Sequence, residues 1–438
     1  MAFRDFSEPV LSRRALFRSS AYVAAGGALA TLPFGRALLA HDVSSNWPNI
    51  AAAVEEYVSS GKVANMVAAF GWQKQDPHTV ARGETAFNSG VDAGLDTLYR
   101  IYSMTKPITG MAAMMLVDEG KLGLDQPLAD ILPAYSNMMV QKTYDGAITP
   151  DNLEPAKRPI TIRQLLTHTA GLGYGIVQNG PIKTAYERAG LVPGQVSRLP
   201  IPGLGRGNPV ESLEAFADGL AEFPLVYQPG TKWSYSVSLD LLGRVIEVVE
   251  KKPFDQVLKE RLFDPCGMDS TYFRVPRSEI GRFTDNYGIM AGVPLPLDPA
   301  RSSIYLDDPA FPFGGAGLVS SPRDYDRFLK MLLGFGVIDG KRVMGELAVR
   351  VGTSNLLPKT ASLEGTWMEG QGFGAGGRVT GTAFGWGGAA GTAAFVDYGS
   401  GLRAGLFTQY MPSESYSIQR EFPDIVLKDL QAMNGGNR

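Results

Sequence analysis

Ser103-Met104-Thr105-Lys106 places a hydroxyl and an amine three residues apart. On a helix, positions i and i+3 share a face, so the Lys106 amine can reach the Ser103 hydroxyl. A desolvated amine gives up its proton more readily and can act as the base that a serine needs to attack a carbonyl. A tetrad of this kind arises by chance about once in a chain of this composition, and a second one, Ser59-Ser60-Gly61-Lys62, is present. Context separates the two. Ser59 falls at the end of an amphipathic segment beside Gly61, a residue type that closes helices. Ser103 opens a run to Glu119 that is apolar almost all round, the pattern of a buried helix, and a helix N-terminus favours developing negative charge. Only the Ser103 tetrad can build a site.

Other chemistries fail on residue type or spacing. The three histidines, His41, His78 and His168, are too scattered for an H-E-x-x-H zinc site. No G-x-S-x-G nucleophile elbow occurs, and no Walker A or Rossmann fingerprint follows a strand. The single Cys266 allows neither an internal disulfide nor a zinc-thiolate cluster. No metal and no organic cofactor is therefore expected. Two further segments can contribute polar groups. Trp233-Ser234-Tyr235-Ser236-Val237-Ser238 sets a tyrosine just before a helical run, and a tyrosine hydroxyl can shuttle protons. Gly385-Trp386-Gly387-Gly388-Ala389-Ala390-Gly391-Thr392 is a Gly-rich strand end that can offer a backbone N–H to an oxyanion. Taken singly, these segments also read as a core aromatic and a tight turn.

The elements that must position these groups follow from periodicity. A helix is expected over 49–60, with Ile50, Val54, Tyr57 and Val58 on one face, then strands over 63–72 and 97–101. The middle, 121–327, mixes short helical patterns with long Pro/Gly-rich connections at 193–209 and 293–312, of the kind that shape a site. Strands are expected at 378–386, 393–397 and 402–409, and a helix at 416–433. Strands near both ends around a helical middle imply an α/β domain over 45–102 and 328–438, with a mainly helical domain inserted over 103–327.

The chain has 438 residues, 44% hydrophobic and 19% charged, which excludes a disordered protein. A net charge of −3 provides no basic field for nucleic acid. Residues 1–40 carry Ser12-Arg13-Arg14-Ala15-Leu16-Phe17-Arg18, then an uncharged Gly/Ala-rich stretch too short to span a membrane. This reads as a twin-arginine export signal. It implies a periplasmic or secreted protein with no stable membrane anchor once the signal is removed.

Together the motifs resemble the serine β-lactamase-related superfamily, which includes class C β-lactamases, DD-peptidases and, in particular, family VIII carboxylesterases. Ile160-Thr161-Ile162-Arg163-Gln164-Leu165-Leu166-Thr167-His168-Thr169-Ala170-Gly171-Leu172 is similar to that family's LLTHTSGL segment. Gly314-Gly315-Ala316-Gly317-Leu318-Val319-Ser320-Ser321-Pro322-Arg323-Asp324-Tyr325 is similar to its GGGLVST..DY segment. The resemblance implies an antiparallel sheet flanked by helices with an inserted helical domain. It assigns Ser103 as nucleophile, Lys106 and Tyr235 as its partners, and the backbone N–H groups of Ser103 and Ala389 as oxyanion hole. Substrate-binding positions would be Tyr102, Val237, Trp386, Gly387 and Gly388, and His168 would be structural.

Two departures bear on substrate. Val237 stands where class C enzymes carry Asn, and Trp386-Gly387-Gly388 replaces Lys-Thr-Gly. Both exchange polar recognition for apolar surface, and losing a charge-assisted contact costs about 1.5–3 kcal/mol. The expected partner is a small neutral ester, hydrolysed through an acyl-serine. Amide or D-amino-acid peptide hydrolysis, β-lactam hydrolysis and acyl transfer are the alternatives of the same class. A penicillin-recognising cell-wall-binding protein is the non-enzymatic one.

Overall fold

A computed structural model describes residues 46–199 and 209–435. The export reading of residues 1–40 and the centre of the 193–209 connection lie outside the described residues. The fold is mixed α/β around a seven-stranded sheet. Its strands are β1 (Asn65–Trp72), β2 (His78–Gly83), β3 (Gly372–Phe373), β4 (Arg378–Thr380), β5 (Ala383–Gly387), β6 (Ala393–Asp397) and β7 (Leu402–Phe407). The spatial order is β3-β4-β5-β6-β7-β1-β2, with every neighbouring pair antiparallel. Chain start and chain end thus meet where β1 pairs with β7, Val67 opposite Phe407.

Both faces of the sheet are covered, so β1 and β7 are buried on both sides. On one face, Met66, Ala68, Phe70, Leu402, Ala404 and Leu406 pack with α1 (Pro48–Ser59) and α6 (Ile418–Gly435). Trp47 stacks on Phe70 there, with ring centroids 3.9 Å apart. The opposite face joins the larger core that holds α2 (Thr105–Asp118), α3 (Ile162–Leu166) and α4 (Ser238–Glu250). As its composition demands, α2 is buried from Thr105 through Leu116.

Three expectations change. Residues 378–386 form two strands, because the turn at Gly381 (φ +58°) folds them into the β4–β5 hairpin. The expected long connection at 293–312 begins with a strand, Val293–Asp298, which pairs antiparallel with Asn286–Met290. Ala291 and Gly292 both take positive φ in that turn, as tight hairpins require. Pro294 and Pro296 disguised the strand, and they are tolerated because it lies at the sheet edge. The expected boundary at 327/328 falls inside α5 (Pro322–Leu333), which Ser321 caps. This helix is tied to the sheet by the buried Asp326–Arg403 ion pair at 2.8 Å.

Candidate active site

The segment entering Ser103 is held from behind. Arg100 is fully buried, and its Nη2 pairs with Asp298 at 2.6 Å while its Nη1 donates to the Thr284 carbonyl at 2.7 Å. Tyr102 then takes φ +40°, a region that costs a bulky L-residue energy and persists only where the surroundings enforce it. The expectation of a plain helix from Ser103 is refined accordingly. Tyr102–Met104 forms a 3₁₀ turn, and the α-helix starts at Thr105.

That turn presents the Ser103 hydroxyl, partly exposed, to two donors. Lys106 Nζ lies 3.3 Å from Ser103 Oγ, and the Tyr235 hydroxyl lies 2.8 Å from it. Lys106 is fully buried and also donates to the Gly315 carbonyl at 2.7 Å. Its Nζ sits 4.5 Å from the centroid of the Tyr235 ring. Trp386 Nε1 approaches the Tyr235 hydroxyl at 3.5 Å. Five of the residues singled out in the sequence are therefore in one place: Ser103, Lys106, Tyr235, Trp386 and, through the next contact, Gly388.

Gly388 follows β5 and packs against the chain just before Ser103. A Cβ there would lie 2.4 Å from the Ile101 carbonyl oxygen, so the close approach requires glycine. Ala389, the next residue, is thereby brought to the Ser103 turn. Among the described residues, neither the Ser103 nor the Ala389 backbone N–H donates to a protein acceptor. Such a pair of open donors is what an oxyanion needs.

Two expected substrate contacts are corrected. Val237 is fully buried, its N–H donating to the Gly173 carbonyl at 3.3 Å, so it is a core residue at the start of α4 and lines no open surface. Tyr102 is 3% exposed, and its hydroxyl accepts from Asn286 Nδ2 at 3.2 Å behind the site. Its direction is set by the positive φ, which turns the ring inward while Ser103 points out.

Sequence reasoning also missed neighbours. Asp240 on α4 is buried, and its Oδ1 accepts from the Gly315 N–H at 2.8 Å. Burial pushes its carboxyl up to about 6, against the lowering effect of Lys106. An acidic residue in the first turn of a helical run gave no signal in the sequence beyond its polarity. Trp367 lies in a turn before β3, 59% exposed, with its ring 5.9 Å from Tyr235 and 5.3 Å from Trp386. The rim is also not free of cations, as the motif exchange implied. The Arg378 guanidinium, on β4, sits 5.7 Å from the Trp386 ring.

With the geometry in view, comparison with known proteins places the chain. A family model described as "Beta-lactamase" matches residues 50–425, and the protein belongs to that family. Protein Rv1367c of Mycobacterium tuberculosis is 36% identical over 328 residues, 74% of this chain and 76% of the relative. Esterase EstB of Burkholderia gladioli is 28% identical over 66% of this chain and 71% of its own length. Among solved structures, "EstCE1, a hydrolase with promiscuous acyltransferase activity" superimposes with a TM-score of 0.69 at 23% identity, covering 88% of this chain and 98% of that one. The family is thus one of β-lactamase-fold hydrolases with esterase and acyltransferase relatives.

Proposed function

We propose that this protein is a serine carboxylesterase acting through an acyl-Ser103 intermediate. The observation that carries the reading is Ser103 Oγ, partly exposed, within hydrogen-bond reach of both Lys106 Nζ and the Tyr235 hydroxyl. In the first step the oxygen attacks the ester carbonyl, and the Ser103 proton passes into the Lys106–Tyr235 pair. The carbonyl oxygen gathers charge facing the Ser103 and Ala389 N–H groups. Collapse breaks the bond to the alcohol, which leaves with the proton held by the pair. Water then repeats the attack and frees the acid and Ser103.

The walls favour an ester over a charged substrate. Trp386, buried at 5% exposure, fills the position of the family's lysine, and Trp367 adds an exposed indole beside it. The relative EstB of Burkholderia gladioli is named as an esterase, in agreement with that class. The deciding experiment is intact-mass spectrometry of the protein after brief exposure to p-nitrophenyl butyrate. An increment of one butyryl group, absent from Ser103→Ala, supports the reading, and turnover without dependence on Ser103 overturns it.

Export is a separate proposal, supported by the Arg13-Arg14 pair and the apolar stretch after it. Among the described residues no helix is long and apolar enough to cross a membrane. Replacing Arg13 and Arg14 by lysine should retain the protein in the cytoplasmic fraction.

A further inference from the structure

The motif around His168 found no use in the chemistry above, yet its side chain lies beside Tyr235. Helix α3 begins with a capping box, Thr161 with Gln164, and ends after one and a half turns. Two residues on, His168 takes the left-handed conformation, φ +55°, which histidine enters more readily than most residues. That twist turns both its carbonyl and its ring toward the segment 233–236, which belongs to no helix or strand.

Two grips result. The His168 carbonyl accepts from the Ser234 N–H at 3.0 Å. Its ring Nδ1 accepts from the Ser236 N–H at 3.2 Å and lies 2.9 Å from Ser236 Oγ. The residues immediately before and after Tyr235 are thus both held by one residue. Because Nδ1 accepts a backbone N–H, the ring proton belongs on Nε2, which has no polar partner among the described residues. The rings of Trp233, Tyr235 and Phe373 surround it at 6.0, 4.8 and 5.4 Å. A proton shuttle through the ring would need a polar exit from Nε2, and the aromatic rings around it offer none.

We infer that His168 is a positioning residue that sets the distance from the Tyr235 hydroxyl to Ser103 Oγ. The inference rests on the role given to Tyr235 above. No regular hydrogen-bond ladder fixes the backbone at Tyr235, so the two grips do it, and misplacing a reacting group by about 1 Å can cost about a hundredfold in rate.

The test is a double-mutant cycle with p-nitrophenyl acetate, with melting temperatures measured in parallel. His168→Leu removes the acceptor at similar size. His168→Gly also removes it and adopts φ +55° freely, so it serves where the leucine variant does not fold. His168→Asn keeps an acceptor near the Nδ1 position and tolerates the left-handed backbone. The expected result is a kcat loss of about thirtyfold or more for Leu and Gly with KM within about twofold, and recovery to within about threefold of the parent in Asn. On a Tyr235→Phe background, His168→Gly should cost less than about threefold further, since the group it positions is gone. Full additivity on that background, an asparagine variant as damaged as the glycine one, or an unchanged kcat in His168→Gly overturns the inference while leaving the role of Tyr235 standing. A fully active Tyr235→Phe removes the role itself and the inference with it.

Discussion

Ser59 and Ser103 each stand three residues before a lysine, and the two tetrads end up in opposite environments. Ser59 is the last residue of α1, and Gly61, at φ +72°, turns the chain away before Lys62. Lys62 then pairs with the exposed Glu56 at 2.9 Å, and that hydrogen bond holds its pKa above the usual lysine value. An amine fixed as a cation in water has no capacity to take a proton from serine. Lys106 sits in the first turn of the buried helix α2, with Ser103 Oγ and the Gly315 carbonyl as its acceptors and a buried carboxyl, Asp240, beyond them. Spacing alone therefore carries little; the placement of the tetrad at a helix start or a helix end decides whether chemistry is available.

Exchanging the two serines breaks or confirms this contrast most directly. Ser103→Ala should lower kcat/KM for a short-chain p-nitrophenyl ester by at least about 10⁴-fold, while Ser59→Ala leaves it within about twofold. An inactive Ser59 variant would invert the assignment. The lysines sharpen the same contrast. Lys106→Met should cost about 10²–10⁴-fold, the usual range for a displaced acid–base group, with Lys62→Met again near the parent value. Steady-state kinetics on the four purified variants, with circular dichroism to confirm folding, measures all of this.

Much of this contrast was readable before any coordinates. Gly61 and the all-round apolar pattern after Ser103 mark one helix end and one buried helix by local rules, and both lie where those rules put them. What stayed hidden depends on contacts distant in sequence. Val237 occupies a motif position that suggested a cleft wall, but a helix N-terminus that points into the core has the same local pattern as one that points out. Trp367 sits in a turn with no periodicity, and its approach to Tyr235 depends on how the 353–372 connection crosses the sheet edge. Arg100 and Asp298 are nearly two hundred residues apart, and a charged pair shows no sign in sequence of being buried.

Substrate choice is the next smaller effect. The exposed Trp367 indole, backed by the buried Trp386, favours apolar groups, so kcat/KM for a C2–C4 acyl ester should exceed that for any β-lactam by at least about two orders of magnitude, or roughly 2.7 kcal/mol. Comparable values would point to Arg378 as the cation that replaces the missing lysine, and Arg378→Ala would then abolish the β-lactam activity selectively. Trp367→Ala should raise KM for a phenyl ester by several-fold to about tenfold, the scale of one aromatic contact, and leave kcat for an acetyl ester of a small alcohol near the parent value. A larger change in kcat than in KM would show that the exposed indole steadies Tyr235 instead of the substrate.

The smallest expected effect concerns stability and comes from the carboxyl behind Lys106. Lys62 has its carboxylate in water, whereas Asp240 is buried, and burial raises its pKa to about 6 despite Lys106. Between about pH 4, where an unfolded aspartate ionises, and about pH 6, the folded chain keeps this proton and the unfolded chain does not. The folded state binds more protons in that window, so the contribution of Asp240 to stability falls as pH rises through it and is level above. Asn at 240 does not titrate and can still accept from the Gly315 N–H. The unfolding free energy of Asp240→Asn minus that of the parent should therefore move in the variant's favour between pH 4 and pH 7. The movement should be about 2–3 kcal/mol at most, at about 1.4 kcal/mol per pKa unit. Urea unfolding of both proteins at three pH values gives this difference and cancels the carboxylates they share. A difference that is flat, or that moves toward the parent, would mean that attraction to Lys106 outweighs the burial of Asp240. The candidate site would then hold a stabilising ion pair, which the exposed Lys62–Glu56 pair resembles more closely than this structure suggests.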